Sequence, residues 1–152
     1  MDDSGVSYGD ALRVAQKKGY AEADPTNDVA GYDAARKLAI LASIGFHANV
    51  TFDDVLVEGI EKISQNDVQY ASEMGYTIKL LAVAIRQEYV ICLNVYPAFL
   101  PRSHPLASVK GSYNAIYVTG NIVDDVMFYG KGAGSLPTAS AVMADVISKD
   151  KH

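Results

Sequence analysis

Thr77-Ile78-Lys79-Leu80-Leu81-Ala82-Val83-Ala84-Ile85-Arg86-Gln87 and Tyr89-Val90-Ile91-Cys92-Leu93-Asn94-Val95, with only Glu88 between them, decide the fold class of this chain. Both runs are rich in β-branched and aliphatic residues, which suit a pleated and buried surface. Their near contact in sequence predicts a β-hairpin turning around Arg86-Gln87-Glu88. In the first run Leu80, Ala82 and Ala84 alternate with Leu81, Val83 and Ile85, and both sets are apolar. A strand apolar on both faces needs a cover on each. One domain of 152 residues falls short of a second cover, so a homodimer formed through the sheet is the expected remedy.

Upstream of the hairpin the pattern is helical. Ser7 to Lys18 carries Leu12, Val14 and Ala15 among charges, with Ser7 as an N-cap and Gly19 as a stop. Gly19 to Asn27 reads as an ordered loop. Asp28 is expected to cap a helix running to about Ile44 and ending at Gly45. Val50 to Phe52 is a short strand candidate, Asp53-Asp54 caps a turn through Val55-Leu56, and Asn66 or Asp67 opens a helix closed by Gly75. Downstream, Pro97, Pro101 and Pro105 are expected to break the chain through a loop carrying His104. Ser112 to Thr119 and Ile122 to Tyr129 form a second strand pair turned at Gly120-Asn121, and Pro137 to Ile147 is a last helix. Helices first and strands later predict an α+β sandwich, with helices on one face of a mixed, mostly antiparallel sheet.

The bulk numbers narrow the function classes. Apolar residues make up 49% and charged residues 20%, as in an ordinary globular protein. A formal charge of −5 without a basic stripe argues against nucleic acid as a partner. No apolar run is long enough to span a bilayer, so no membrane partner is expected. The lone cysteine, Cys92, excludes an internal disulfide and fits a reducing, cytoplasmic setting. Both ends, Met1 to Val6 and Lys149 to His152, read as cuts at element boundaries.

The densest chemistry lies in Gly19-Tyr20-Ala21-Glu22-Ala23-Asp24-Pro25-Thr26-Asn27-Asp28, running into Gly31-Tyr32-Asp33-Ala34-Ala35-Arg36-Lys37. Asp33 and Lys37 are four apart, so a helix stacks them on one face. That face continues through Ile40, Leu41 and Ile44, which are expected to be core. The pair would then sit where a buried stripe meets an opening, and there a lysine can be desolvated and still reach a substrate. On the residues alone, an exposed ion pair worth a few tenths of a kcal/mol and a functional pair stand equally open. Gly130-x-Gly132-Ala133-Gly134-x-x-Pro137-Thr138 is neither a Walker loop nor a dinucleotide fingerprint, and alone it reads as a tight strand-to-helix turn. His47 and His104 are isolated, Cys92 reads as core, and no spacing suggests a metal site.

At these residues the chain resembles the homoserine dehydrogenase family. The likeness rests on Gly19 to Pro25 with Asp28, Gly31 and Asp33 to Leu38, on Glu58-Gly59-Ile60, Ile78-Lys79-Leu80 and Val95-Tyr96-Pro97, and on His104 to Ala107, Asn114-Ala115 and Gly130 to Val142. It covers nearly the whole chain. It implies the architecture of the C-terminal domain of glyceraldehyde-3-phosphate dehydrogenase. The implied reaction is the NAD(P)-dependent interconversion of L-homoserine and L-aspartate 4-semialdehyde, on the route to threonine, methionine and isoleucine. Carried over by motif, Lys37 becomes the catalytic proton donor or acceptor, Glu22 and Asp33 hold the substrate, and Gly19 and Gly134 lie against the cofactor. The family's Rossmann domain, its further lysine, its Gly-Thr-Thr-Asn stretch, its monovalent-cation loop and the C-terminal ACT domain of many members have no counterpart here. Residues 1–152 are thus expected to be an excised catalytic and dimerisation domain, inactive without the N-terminal domain that holds most of NAD(P). The rival readings are a non-catalytic module that binds an amino acid or dimerises, and a piece of a fused aspartate kinase–homoserine dehydrogenase.

Overall fold

The computed structural model describes residues 8–17, 24–132 and 134–149. The expected Ser7 cap and the loop around Gly19 and Glu22 lie outside them. The chain divides into two compact units, Met1–Arg102 and Ser103–His152, and the secondary structure is α+β throughout.

In the first unit, helices α1 (Tyr8–Lys17), α2 (Thr26–Val29), α3 (Tyr32–Phe46) and α4 (Gln65–Glu73) accompany strands β1 (Leu56–Val57), β2 (Tyr76–Gln87) and β3 (Val90–Pro101). The sheet order is β1-β3-β2, with β1 parallel and β2 antiparallel to β3. The hairpin forms as expected, but Gln87 pairs with Val90, so its turn is Glu88-Tyr89. Such two-residue turns want positive φ, and Glu88 adopts 51°. Arg86 ties this tip to α3: its Nη1 donates to the Phe46 carbonyl at 3.1 Å, one of the acceptors that a helix end leaves unpaired.

Several boundaries differ from expectation; α3, for one, runs through Gly45 to Phe46 and is capped by His47. The early strand is Leu56–Val57, because Val50 to Phe52 leads into a 3₁₀ turn over Phe52–Asp54 capped by Thr51 and Asp54. The cap of α4 is Ser64, whose Oγ and backbone N–H both donate to Asp67, while Asp67 N–H donates back to Ser64 Oγ. These bonds, the Ser64 side chain's first, hold the Asp67 carboxyl below the usual carboxylate range. Strand β3 runs straight through Pro97 to Pro101. The Val95 carbonyl accepts from Glu58 N–H on the β1 side, so residues of the same parity, Pro97 and Pro101 included, aim their main-chain groups that way. Strand β1 stops at Val57, no ladder bond is demanded of them there, and the prolines fit.

The core lies between α3 and the sheet. Ala35, Leu38, Ala39 and Ala42 of α3 are buried with Val55, Leu93 and Val95, and Leu80, Ala84 and Ile91 pack around them. This overturns the expectation for Ile40, Leu41 and Ile44, which are 62%, 43% and 67% exposed. Alanines let the helix approach the sheet closely, and close packing decides which stripe turns inward. Thr77 and Leu100, on the opposite side of the pleat from Leu93 and Val95, are also buried, and α4 packs on β2 through a segment containing fully buried Ala71. Further along that second face, Ile85 is 49% and Tyr96 38% exposed, and Cys92, expected to be core, is exposed.

In the second unit, β4 (Tyr113–Gly120) and β5 (Asp124–Lys131) form an antiparallel pair followed by α5 (Ser135–Lys149). The turn falls at Asn121 to Val123, one step later than expected. Tyr113 and Tyr129, across the ladder, stack at 4.8 Å. No helix among the described residues is long and apolar enough to cross a membrane.

Candidate active site

The first turn of α3 is placed by backbone packing, not by a side-chain cap. Asp24 accepts from Thr26 Oγ1 at 2.6 Å and from Thr26 N–H at 3.1 Å, which closes the chain into α2 and keeps the Asp24 carboxyl below its usual range. The Pro25 carbonyl accepts from Asp28 and Val29. Asp28, expected as the cap of α3, therefore lies inside the preceding short helix. The residue that starts α3 is Gly31, at φ 84°. A Cβ there would lie 3.0 Å from Val95 and 3.2 Å from Val57, so the glycine sets the helix directly on β1 and β3.

A second glycine clamps the same corner. Gly59 lies so close to α2 that a Cβ would fall 2.5 Å from the Val29 carbonyl oxygen and 2.7 Å from Ala30 Cα. Beside it Ile60 N–H donates to that carbonyl at 2.9 Å. The Glu58-Gly59-Ile60 segment is thus what holds the turn before α3. Sequence reasoning noted these residues only as part of a resemblance. Their signal was a glycine between two ordered segments, which marks close backbone approach.

On this platform Asp33 and Lys37 meet as the spacing requires. Lys37 Nζ donates to Asp33 Oδ2 at 2.6 Å, with the side chains 67% and 44% exposed respectively. Asp33 lies in the first turn, where a carboxylate is favoured by the helix dipole. Arg36 points elsewhere: its Nη1 donates to Asn27 Oδ1 at 3.2 Å, and its guanidinium sits 5.3 Å from the Phe52 ring centroid. A shallow groove lies on that side, lined by Arg36, Ile40, Ser43, Ile44, Thr51 and Phe52 among others, and it excludes Asp33 and Lys37. The expected burial of the lysine beside an apolar stripe is therefore absent in this chain. What the pair offers is an ammonium group fixed by a carboxylate and accessible from outside, a proton donor with a held direction.

The other expected residues divide. Glu22 and Gly19 lie outside the described residues. Gly134 precedes α5 at φ 122°, accepts from Thr138 N–H at 3.1 Å, and a Cβ on it would meet only Pro137. His104 is not isolated: its Nδ1 accepts from Leu106 N–H, capping the turn Pro105–Ser108, and its ring lies 5.1 Å from Tyr117. The Tyr117 and Thr119 hydroxyls both bond to Asp125 and hold its carboxyl below the usual range. Among the described residues no group of three or more His, Cys, Asp or Glu is placed to hold a metal ion.

Residues 1–147 match the family model for homoserine dehydrogenase. Over its full length the chain is 53% identical to a homoserine dehydrogenase of Corynebacterium glutamicum, of which it covers 35%. It is 48% identical to one of Bacillus subtilis, with 95% of the chain matched to 34% of that protein. Among solved structures, a homoserine dehydrogenase from Thiobacillus denitrificans superposes with a TM-score of 0.92 at 48% identity, covering 97% of this chain and 34% of that one. A hyperthermophilic archaeal homoserine dehydrogenase in complex with NADPH gives 0.74 at 27% identity, with 94% and 40% covered. The chain spans about a third of the length of the curated relatives it matches.

Proposed function

This chain belongs to the homoserine dehydrogenase family, and from that premise we propose that residues 1–152 are the substrate-binding, catalytic and dimerising domain of an enzyme interconverting L-homoserine and L-aspartate 4-semialdehyde with NAD(P). The observation that carries the reading is the Asp33–Lys37 pair, held at 2.6 Å on a helix start clamped by Gly31 and Gly59. In this reading Lys37, as the ammonium paired with Asp33, gives a proton to the semialdehyde oxygen in the reductive direction, and as the free amine takes the hydroxyl proton in the oxidative one. Glu22 and Asp33 hold the substrate, carboxylates matching its ammonium group. A bound dinucleotide would supply the acceptor for the hydride of the carbinol carbon. It is held mainly by the part of the enzyme outside this chain, with Gly134, whose φ of 122° suits glycine, and Gly19 lying against it. The setting is the cytoplasm, where Cys92 stays reduced.

The 67% exposure of Lys37 favours a second reading for the isolated chain, a module that binds an amino acid or dimerises without turnover. One assay separates them. The full-length chain carrying this segment reduces NAD or NADP when L-homoserine is added, and residues 1–152 alone do not. A folded full-length protein with no homoserine-dependent reduction of either nucleotide overturns the dehydrogenase reading.

The homodimer joins through the sheet face carrying Leu81, Val83 and Ile85 opposite Tyr96, Asn94 and Cys92. Desolvating a lysine there is strongly unfavourable. Sedimentation at micromolar concentration should find wild type as a dimer and Val83→Lys as a monomer. A wild-type monomer removes the argument from the doubly apolar strand.

A further inference from the structure

Each residue turns a helix by about 100°, so Asp33, Lys37, Ile40 and Ile44 of α3 fall within about 60° of arc. The buried Ala35, Leu38, Ala39 and Ala42 lie on the opposite side, against the sheet. The ion pair thus shares the outermost face of the helix with two exposed isoleucines, and exposed Leu41 flanks them. Phe52 walls the groove beside this stripe. β-branched side chains are poor choices for a helix face left in water. Contiguous apolar surface of this kind marks a contact.

The polar side chains that line the groove each have a partner already. Arg36 donates to Asn27, and Thr51 Oγ1 donates to Asp54. Ser43 Oγ donates to the Val50 carbonyl and accepts from Val50 N–H. A small ligand needs convergent polar groups to orient it, so an apolar protein surface suits the stripe better. A second copy does not supply it. The sheet face assigned to the dimer carries Leu81, Val83 and Ile85, whereas α3 packs on the other face, over Leu80 and Ala84. The stripe therefore points away from that partner. What remains is the rest of the parent, since this chain spans only 35% and 34% of two of its relatives. We infer that Ile40, Leu41 and Ile44 form the docking face for the part of the enzyme that holds the dinucleotide. This rests on the reading above, in which that part lies outside residues 1–152. Lys37 stands about 10 Å along the helix from Ile44, so a body seated on the stripe carries its nucleotide up to the ammonium group.

Two measurements on the full-length protein test it. Irradiating Ile44→p-benzoylphenylalanine gives a product of monomer mass, cross-linked to residues outside 1–152 by peptide mapping. A covalent dimer, a cross-link back into residues 1–152, or no cross-link overturns the inference, whatever the enzyme turns over. The second variant combines Ile40→Gln with Ile44→Gln, which keeps good helix formers and puts two amides into the apolar contact. Its kcat falls by at least about tenfold, because the closed form that meets Lys37 is less populated. Its Kd for the reduced dinucleotide, read by nucleotide fluorescence, stays within about twofold of wild type, because the part that holds the nucleotide is unchanged. An unchanged kcat, with wild type active, means that the stripe has no share in bringing the cofactor to Lys37 and overturns the inference alone. An equal loss of dinucleotide affinity puts the nucleotide on the stripe itself and also overturns it. A wild-type enzyme without homoserine-dependent turnover instead removes the dehydrogenase reading, and the cross-link still decides what covers α3.

Discussion

Lys37→Ala in the full-length enzyme is expected to lower kcat by about 10²- to 10⁴-fold, the range lost when a positioned acid–base group is removed. That corresponds to about 3–5 kcal/mol of transition-state stabilisation. Unfolding cannot mimic it, because the Lys37 side chain is 67% exposed and its ion pair with Asp33 lies at the surface. An exposed pair of that kind contributes only a few tenths of a kcal/mol to stability, so the melting curve should be nearly unchanged. Lys37→Arg refines the test. It keeps the charge beside Asp33 but cannot release a proton near neutral pH, so it should remain as inactive as the alanine variant. Wild-type turnover in Lys37→Ala removes the role assigned to the lysine, and recovery by arginine alone reduces that role to charge.

Gly59→Ala and Gly45→Ala are the same chemical change with opposite expected signs. At Gly59 the new methyl falls 2.5 Å from the Val29 carbonyl oxygen and 2.7 Å from Ala30 Cα. Both are backbone atoms, which cannot swing aside as the end of a side chain can. Relief means parting the loop from α2 and stretching the bond from Ile60 N–H to Val29. Overpacking of about 1–3 kcal/mol and a lost hydrogen bond of about 1 kcal/mol give a destabilisation of roughly 2–4 kcal/mol, read as a lower urea midpoint at unchanged slope. At Gly45, inside α3, a Cβ meets nothing within 4 Å. Removing glycine from a helix there should stabilise by about 0.5–1 kcal/mol. If Gly59→Ala is as stable as wild type, the clamp before α3 is not what holds Asp33 and Lys37 in place.

The hairpin was legible because its signal is local: two β-rich runs with almost nothing between them can hardly do anything else. The Asp33–Lys37 meeting was legible for a similar reason, since helical spacing alone brings the two together. The face of α3 that turns inward was not. Hydropathy favours Ile40 and Ile44 over Ala35, Ala39 and Ala42, but the space between helix and sheet is decided by close approach, which small residues permit. The two-residue strand Leu56–Val57 was equally hidden, because it exists only by pairing with Asn94 and Val95 some forty places away. Pro97 reads as a breaker until one knows which way its missing N–H would have pointed.

Those prolines have a consequence for how copies of this chain can meet. Among the described residues no strand pairs with the outer side of β3 beyond Val95, and an unpaired strand side is a ready template for fibre-like growth by stranger chains. Of the residues that would offer donors along it, Pro97, Phe99 and Pro101, only Phe99 has a hydrogen to give. An incoming strand finds one rung where it needs three. Along this side the molecule is guarded against open-ended stacking.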